Sequence, residues 1–340
     1  MKKLLLILLT ILGFSSAHAQ DHMYSQFFNS PLYLNPALTG QFAGDLRMNM
    51  IYRNQWSGIS SGTLSYFTGS IDYNVPQFGG GLGLMFNRSS EGTAFLNKNS
   101  LAGTYAYSVG SDDFILSFGL QAGITNRTID FSKLVFSDQI DSRTGIINGS
   151  VSGAEKPAFD NRFYFDAGAG INLVVGSFMV GGAMQHLNRP DESFTGVKAR
   201  LPIRTTAHVS YMLDLNKDEN IDETEKSYVI PSVIMYKQAQ SQNINVGFQY
   251  KRKSINAGLW YRNSGSGTPS AFVVSLIFDI FVNKDSGEKF RLGISHDAST
   301  SRLNYTNTSG TTEGSLSYET PLRSDGYSRF NTGKHCYDFY

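Results

Sequence analysis

The sequence predicts an all-β protein, a transmembrane antiparallel β-barrel of about 14 strands preceded by an N-terminal segment that turns inward. Three observations predict it. Apolar and polar residues alternate over stretches of about 10 residues, the length that crosses a bilayer at a tilt. Short and long connections alternate between these stretches. Glycine contributes 34 of 340 residues and aromatic residues 13%, whereas charged residues contribute only 17%.

Residues 1–19 are a predicted signal peptide. Lys2 and Lys3 precede an apolar run of about a dozen residues, and Ala17 and Ala19 give the small-residue pattern of a cleavage site. The run is too short to cross a bilayer as a helix, which disfavours a membrane anchor. Export together with a barrel predicts an outer-membrane location, with the C-terminus in the periplasm.

Residues 20–43 are predicted to be an N-terminal plug or rim segment. The stretch PLYLNPALTG at 31–40 follows neither the helical nor the strand period, and its two prolines fix the local backbone. Because so apolar a segment is unfavourable in water, we expect it to fold into the periplasmic mouth of the barrel, with Tyr33, Leu34 and Pro36 packed there. A lead-in packed on the periplasmic rim is the alternative, and it stays open.

Residues 44–321 carry the predicted barrel. In 163–175 the odd positions are apolar, whereas the even positions include Asp166, Asn172 and two glycines. Such polar or small residues suit a lumen, and the apolar face suits outer-membrane lipid. A soluble β-sandwich also alternates, but its strands are usually about five or six residues long. An even strand number returns the chain to its starting side, as in bacterial barrels.

The connections are sorted by parity. The turns at 75–77, 110–112 and 176–177 are short, whereas 130–159 and 298–310 are long and polar. Long loops outside and short turns in the periplasm are typical of outer-membrane barrels. Two connections break the pattern, since 57–61 is short and 214–225 is long. Beyond the last strand, 322–340 is a predicted periplasmic tail that acts as an insertion signal, a docking segment or a disordered end.

Charged residues on the inner face are expected to form layers in the lumen. Arginines at 53, 204, 262 and 291 stand against aspartates at 166, 279 and 297. Confinement in a lumen would join them by charge-assisted hydrogen bonds. Such charges generally stiffen a barrel, and no substrate follows from them.

The opening of the mature chain resembles the PorP/SprF family of outer-membrane proteins of the type IX secretion and gliding machinery. DHMYSQFFNSPLYLNPALTG at 21–40 and YRNQWSG at 52–58 carry the resemblance, and MQHLNRP at 184–190 continues it. It implies a non-enzymatic barrel that binds a secreted protein with a C-terminal sorting domain and supports its export or surface attachment. Other implied partners are type IX components such as the periplasmic ring or its anchoring proteins.

The loop DLNKDENIDETE at 214–225 predicts a calcium site. The candidate ligands fall at positions 1, 3, 5, 7, 9 and 12 of the calcium-loop pattern and are Asp214, Asn216, Asp218, Asn220, Asp222 and Glu225. Glu219 replaces the usual glycine at the sixth position, and the flanks follow the strand period. A solvated acidic turn without metal, or a contact for a basic partner, is the alternative.

Other function classes receive little support. The net charge of +1 gives no footprint for nucleic acid, and the single cysteine, Cys336, cannot form an internal disulfide. His296 and Asp297 are adjacent, so a strand places them on opposite faces, and we find neither a nucleophile elbow nor a metal-binding histidine pair. The alternative to a secretion partner is an outer-membrane channel or hydrophobic-solute transporter.

Overall fold

The fold is that of a computed structural model, which describes residues 21–59, 64–92, 96–111, 113–216, 226–265, 270–283, 287–300, 305–322 and 336–339. The predicted signal peptide therefore lies outside the described residues, as does most of the predicted calcium loop. Among the described residues, no helix is both long and apolar enough to cross a membrane.

Strands make up nearly all of the regular structure. They are β1 Leu46–Gln55, β2 Leu64–Val75, β3 Gly80–Glu91, β4 Leu96–Gly110, β5 Phe114–Thr128, β6 Ile140–Asp141, β7 Gly145–Ile146, β8 Asn161–Val175, β9 Phe178–Gln185, β10 Arg204–Tyr211, β11 Leu213–Asp214, β12 Ser227–Gln238, β13 Ser241–Arg252, β14 Ile255–Ser264, β15 Ala271–Asn283, β16 Glu288–Ser299 and β17 Thr311–Thr320. Short helical turns span Phe27–Asn29, Pro31–Leu34, Pro36–Leu38, Pro76–Phe78, Phe131–Lys133, Ser137–Gln139, Tyr305–Thr308 and Cys336–Phe339.

The strands close into an antiparallel barrel. Neighbouring barrel strands pair in chain order, and β1 pairs with β17 along its whole length, from Leu46 opposite Thr320 to Gln55 opposite Thr311. β6 and β7 form a separate hairpin, and β11 continues β10 beyond Met212. The barrel therefore has 14 strands, as the sequence predicts.

The period of two along each strand gives the barrel an apolar outer face and a polar inner face. In β8, Phe163 and Phe165 are exposed on the outside, whereas Tyr164 and Asp166 are buried on the inside. A continuous exposed apolar wall is the surface that a bilayer requires. The barrel encloses polar side chains together with two apolar clusters, while many other large hydrophobic residues face outward.

The connections distinguish the two ends of the barrel. We call the end with connections 76–79, 111–113 and 176–177 the short-turn end, and the end with 129–160 and 186–203 the long-loop end. The predicted sorting by parity holds for these loops. It is weaker elsewhere, because β3 and β4 extend further than expected and leave only 92–95 between them at the long-loop end.

Residues 21–42, which we call the lumen segment, lie inside the barrel. Pro31 and Pro36 each begin a helical turn, where the missing proline N–H costs no hydrogen bond. The Asn35 side chain caps the second turn by accepting a hydrogen bond from the Ala37 N–H at 2.9 Å. The proline-rich sequence thus gives compact turns that expose few unpaired backbone groups.

The lumen segment runs along the barrel from the long-loop end to the short-turn end. At its start, Asp21 contacts Lys98 and Gln238, near the long-loop ends of β4 and β12. At its end, Gln41 donates a hydrogen bond to Ser108, near the short-turn end of β4. β1 then begins at Leu46. The segment therefore extends well beyond the single mouth in which the sequence led us to expect it.

Glycines in the wall make room for the lumen segment. A side chain at Gly119 would overlap the backbone of Ala37, and one at Gly170 would overlap the Asn35 side chain. The Pro36–Leu38 turn packs against β4, β5 and β8 at this point. Glycine therefore permits a close backbone approach here, which is one of its main uses in strands.

The first prediction concerns Gly119→Val. The added side chain should displace the lumen segment and destabilise the protein by about 1–3 kcal/mol, because the packed site has no room for it. We expect a higher single-channel conductance in planar bilayers than for the natural chain. Gly314→Val is the matched control, since a Cβ at Gly314 meets nothing within 4 Å. Equal conductance for the two variants would contradict this account.

Candidate functional site

Glu313 holds the lumen segment near its start. This residue faces inward from β17 and is fully buried. Its carboxylate accepts hydrogen bonds from the Ser25 N–H at 2.7 and 2.9 Å and from the Gln26 N–H at 2.9 Å, and Arg53 forms an ion pair with it. One carboxylate thus satisfies two backbone donors and one guanidinium, as a buried charge requires.

A second carboxylate completes this cluster. Asp297 of β16 receives hydrogen bonds from Arg262 of β14 at 2.9 Å and from the Ser25 hydroxyl at 2.7 Å. Arg262 also donates to the Ser25 hydroxyl oxygen at 2.6 Å. Two arginines and two carboxylates therefore surround Ser25, and β1, β14, β16 and β17 are joined through the lumen segment.

Asp72 holds the other end of the segment. Arg47 makes a two-pronged contact with it at 3.0 and 2.8 Å, and the Gly40 N–H donates to it at 2.7 Å. Arg47 also donates to the Leu38 carbonyl at 3.2 Å. Gly40 has a φ of +71°, which favours glycine at this turn. Paired arginine and carboxylate geometry of this kind is both strong and directional.

The first described residue, Asp21, is held by charged groups of the wall. Its carboxylate lies 2.8 Å from Lys98 Nζ and 2.6 Å from His186 Nε2. The other ring nitrogen of His186 lies 2.9 Å from Asp166. Burial opposes the charge on Asp21, but Lys98 and His186 outweigh it and hold its pKa well below the usual value. Burial also opposes protonation of His186, but Asp21 and Asp166 outweigh it and raise the pKa of this histidine.

The predicted plug residues lie inside the barrel. Tyr33 receives a hydrogen bond on its hydroxyl from Arg204 at 2.6 Å, and the guanidinium carbon of Arg204 lies 4.2 Å from its ring centroid. The ring of His22 stacks between Tyr33 and Tyr66. Leu34 is buried in an apolar cluster with Phe27, Phe28 and Trp260 among its members, and Pro36 is buried beside Gly170.

The charged residues singled out in the sequence fall into three groups. The structure brings Arg53, Arg262 and Asp297 together around Ser25. Arg291 and Asp279 pair at 2.7 Å nearer the short-turn end. Arg204 and Asp166 do not take part in the expected arginine–aspartate pairing. Arg204 contacts Tyr33 and Asp166 contacts His186.

Sequence reasoning missed Glu313, Asp72 and Lys98 as partners of the lumen segment. Glu313 begins the stretch EGSLSYET at 313–320. A signal was present in the alternation of β17, since Thr311, Glu313, Ser315 and Ser317 are polar at every second position. That pattern identifies an inward face, but it does not say which inward residue meets residue 25.

The predicted calcium loop lies largely outside the described residues, since 217–225 are not covered. Of its six candidate ligands only Asp214 and Asn216 are described. Asp214 accepts a hydrogen bond from the Asn216 N–H at 2.8 Å, and the Asn216 side chain accepts one from the Ser227 N–H at 3.1 Å. Within the described part of the chain, no group of three or more His, Cys, Asp or Glu could hold a metal ion. Calcium binding stays a prediction.

The family model described as type IX secretion system membrane protein PorP/SprF matches residues 16–318, which is most of the chain. This chain belongs to the PorP/SprF family. The barrel described above is therefore that of a membrane protein of type IX secretion. No curated protein matches the chain.

Two solved structures illustrate what the fold is similar to. The outer membrane protein Omp33 of Acinetobacter baumannii has 7% identity and a TM-score of 0.42, over 83% of this chain and 100% of its own. The TodX deltaS2S3 mutant, a monoaromatic hydrocarbon channel, has 12% identity and a TM-score of 0.43, over 85% of this chain and 92% of its own. At these values neither assigns a solute or a partner to this PorP/SprF-family chain.

The second prediction tests the buried carboxylate at the centre of the site. Glu313→Gln should lower the free energy of unfolding by about 3–5 kcal/mol, because it removes the closer of the two carboxylates that pair with buried Arg53 and leaves Asp297 as the other. Urea unfolding of the barrel refolded in lipid vesicles measures this. Glu155→Gln is the control, since Glu155 is exposed in the long loop and the same exchange there should leave the midpoint unchanged. An unchanged midpoint of urea unfolding for Glu313→Gln would show that the Glu313 charge does not stabilise the fold.

The third prediction concerns pH. Since the pKa of His186 is raised in the folded state, its stabilising contribution is complete below the ordinary value of 6.5 and is lost as pH rises through the raised value. Asp21, whose pKa is lowered, contributes above its ordinary value of 3.8 and loses that contribution only as pH falls further. The contact between them is therefore most stable from about pH 4 to pH 6.5.

Unfolding temperatures at pH 6 and pH 9 measure the effect. His186→Gln should reduce the loss of stability between these two values, because glutamine does not titrate. His296→Gln is the control, since it makes the same exchange at a histidine whose Nδ1 contacts the Thr312 hydroxyl. A His186→Gln variant with the full pH difference would show that other groups cause it.

Proposed function

We propose that this PorP/SprF-family barrel is a non-enzymatic outer-membrane component of the type IX secretion and gliding machinery. In this proposal it binds a secreted protein, through that protein's C-terminal sorting domain, at the long-loop end and supports its export or surface attachment. The observation that carries the proposal is the filled lumen. A protein whose interior is occupied by its own chain is better suited to binding at its surface than to conducting a solute.

The contacts of the lumen segment support this proposal. Ser25, Gly40 and Asp21 are attached to different sides of the wall through buried charges. A continuous solute path would require at least part of this segment to move, and each buried ion pair that breaks is costly. An outer-membrane channel or hydrophobic-solute transporter, the alternative from the sequence, therefore needs a displacement that a binding partner does not need.

The long loop at 129–160 offers a surface for the secreted protein. Val135, Ile140, Ile146 and Val151 are exposed there, Val151 at 94%. Within the same loop Asp138 accepts hydrogen bonds from the Gly153 N–H at 2.7 Å and from the Ser152 hydroxyl at 2.8 Å, so the loop has internal structure. Exposed apolar side chains beyond the membrane wall mark an interaction surface. The short-turn end is then left to the periplasmic ring or its anchoring proteins.

The fourth prediction tests this surface. The pair Ile146→Asp and Val151→Asp should remove a particular secreted protein from the cell surface, because charges replace the apolar contact, while the barrel itself remains at its normal level. Cross-linking of a chromosomally tagged copy in intact cells, followed by mass spectrometry, identifies what is lost. Val197→Asp is the matched control, since Val197 is 75% exposed in a different loop of the same end.

The outcomes separate the candidate functions. Loss of one secreted protein in the double variant, but not in Val197→Asp, supports a client partner. Unchanged surface proteins, together with a nutrient-dependent growth defect on deletion of the whole barrel, support a transporter and overturn the proposal. A third outcome is that periplasmic ring components are cross-linked to both variants and no secreted protein is cross-linked even to the natural chain. This outcome would place the barrel in the general machinery instead.

A further inference from the structure

The last described residues return to the barrel rather than leaving it. β17 ends at Thr320 at the short-turn end, and Cys336–Phe339 forms a short helical turn. Cys336 Sγ lies 3.9 Å from both the backbone carbonyl oxygen and the side-chain oxygen of Gln41. Because Gln41 is at the short-turn end of the lumen segment, the C-terminal turn lies at that mouth of the lumen.

The turn is held by apolar burial. Cys336 and Phe339 are 2% and 0% exposed. Both belong to an apolar cluster that includes Leu34, Leu38, Val174, Met179, Met212 and Ile230. Val174 and Met179 face each other across the turn between β8 and β9, and the Met212 N–H donates to the Ser177 carbonyl at 2.9 Å. The wall residues of this cluster, Val174, Met179, Met212 and Ile230, therefore lie at the short-turn end. We call them, together with Leu34 and Leu38 of the lumen segment, the mouth pocket.

We propose that the mouth pocket is a binding site for an aromatic C-terminal segment, that Cys336–Phe339 of this chain occupies it, and that the turn leaves it while the barrel stays folded. The barrel closes without the C-terminal turn, since β1 pairs directly with β17. Departure of the turn therefore breaks no hydrogen bond between barrel strands. Among the described residues, it removes the contacts that hold the turn to the pocket and to Gln41.

The chain length permits such a departure. Residues 323–335, outside the described part, separate the end of the barrel from the turn. A connection of that length can reach about 40 Å when extended, so the turn can leave the pocket while β17 remains in place. Departure would uncover apolar side chains of both the wall and the lumen segment. That surface would suit the same kind of segment, an aromatic residue near a chain end, from another molecule.

Cys336 provides a direct probe, because it is the only cysteine of the 340 residues. The fifth prediction is that a maleimide reacts with Cys336 slowly in the full-length protein in detergent, and that the reaction finishes while the barrel keeps its folded mobility on an unheated gel. Phe339→Ala should speed the reaction about tenfold or more, since a buried aromatic side chain is the main anchor. Phe159→Ala is the matched control, since Phe159 is at the long-loop end and 42% exposed.

Each outcome decides the matter. Labelling as fast as in urea would show that the turn is not bound, and labelling only upon barrel unfolding would show that it does not leave. An unchanged rate in Phe339→Ala would remove Phe339 as the anchor. If that variant fails to fold, Met179→Ala tests the pocket from the wall side with the same expected increase.

A competing peptide tests the site itself. The probe is a synthetic peptide of residues 332–340 with serine in place of Cys336, added in excess to the full-length protein. Occupation of the pocket by the peptide should speed maleimide labelling of Cys336, whereas the same peptide with alanine in place of Phe339 should not. Equal rates with the two peptides would overturn the binding site, and this result would leave the client proposal untouched.

Discussion

The structure depends on the contact between the lumen segment and the charged inner wall, above all where Glu313, paired with Arg53, accepts a hydrogen bond from the backbone N–H of Ser25. Without the segment, Glu313 would lose the two backbone amides that share it with Arg53. Without the wall charges, the amides of Ser25 and Gln26 would lie buried and unpaired. The lumen segment and the wall therefore each supply hydrogen-bond partners that the other needs at this cluster.

The same contact explains why the wall has two kinds of inward residue. Charged and amide side chains line it where the segment presents backbone groups, as at Asp72 beside Gly40. Glycines line it where the segment itself comes close, as at Gly119 and Gly170. The inner face is therefore shaped to a particular chain, which is a different requirement from that of a water-filled pore.

The barrel was largely predictable because it depends on local alternation and on loop parity. Fourteen strands, their approximate bounds and the apolar outer face follow from residues two apart, as in β8. The contacts of the lumen segment were not predictable in the same way. Ser25 and Glu313 are 288 residues apart, and nothing in either local sequence identifies the other. Arg204 could be placed on the inner face, but its partner Tyr33 could not.

The path of the lumen segment also constrains the order in which the protein can assemble. Ser25 is bonded to Glu313 of β17, the last strand to leave the ribosome, and β17 also closes the ring against β1. A contact between residues so far apart in the chain forms slowly, because closing the intervening loop costs conformational entropy. Residues that precede β1 in the chain are thus among the last to be fixed. The sheet closes around them.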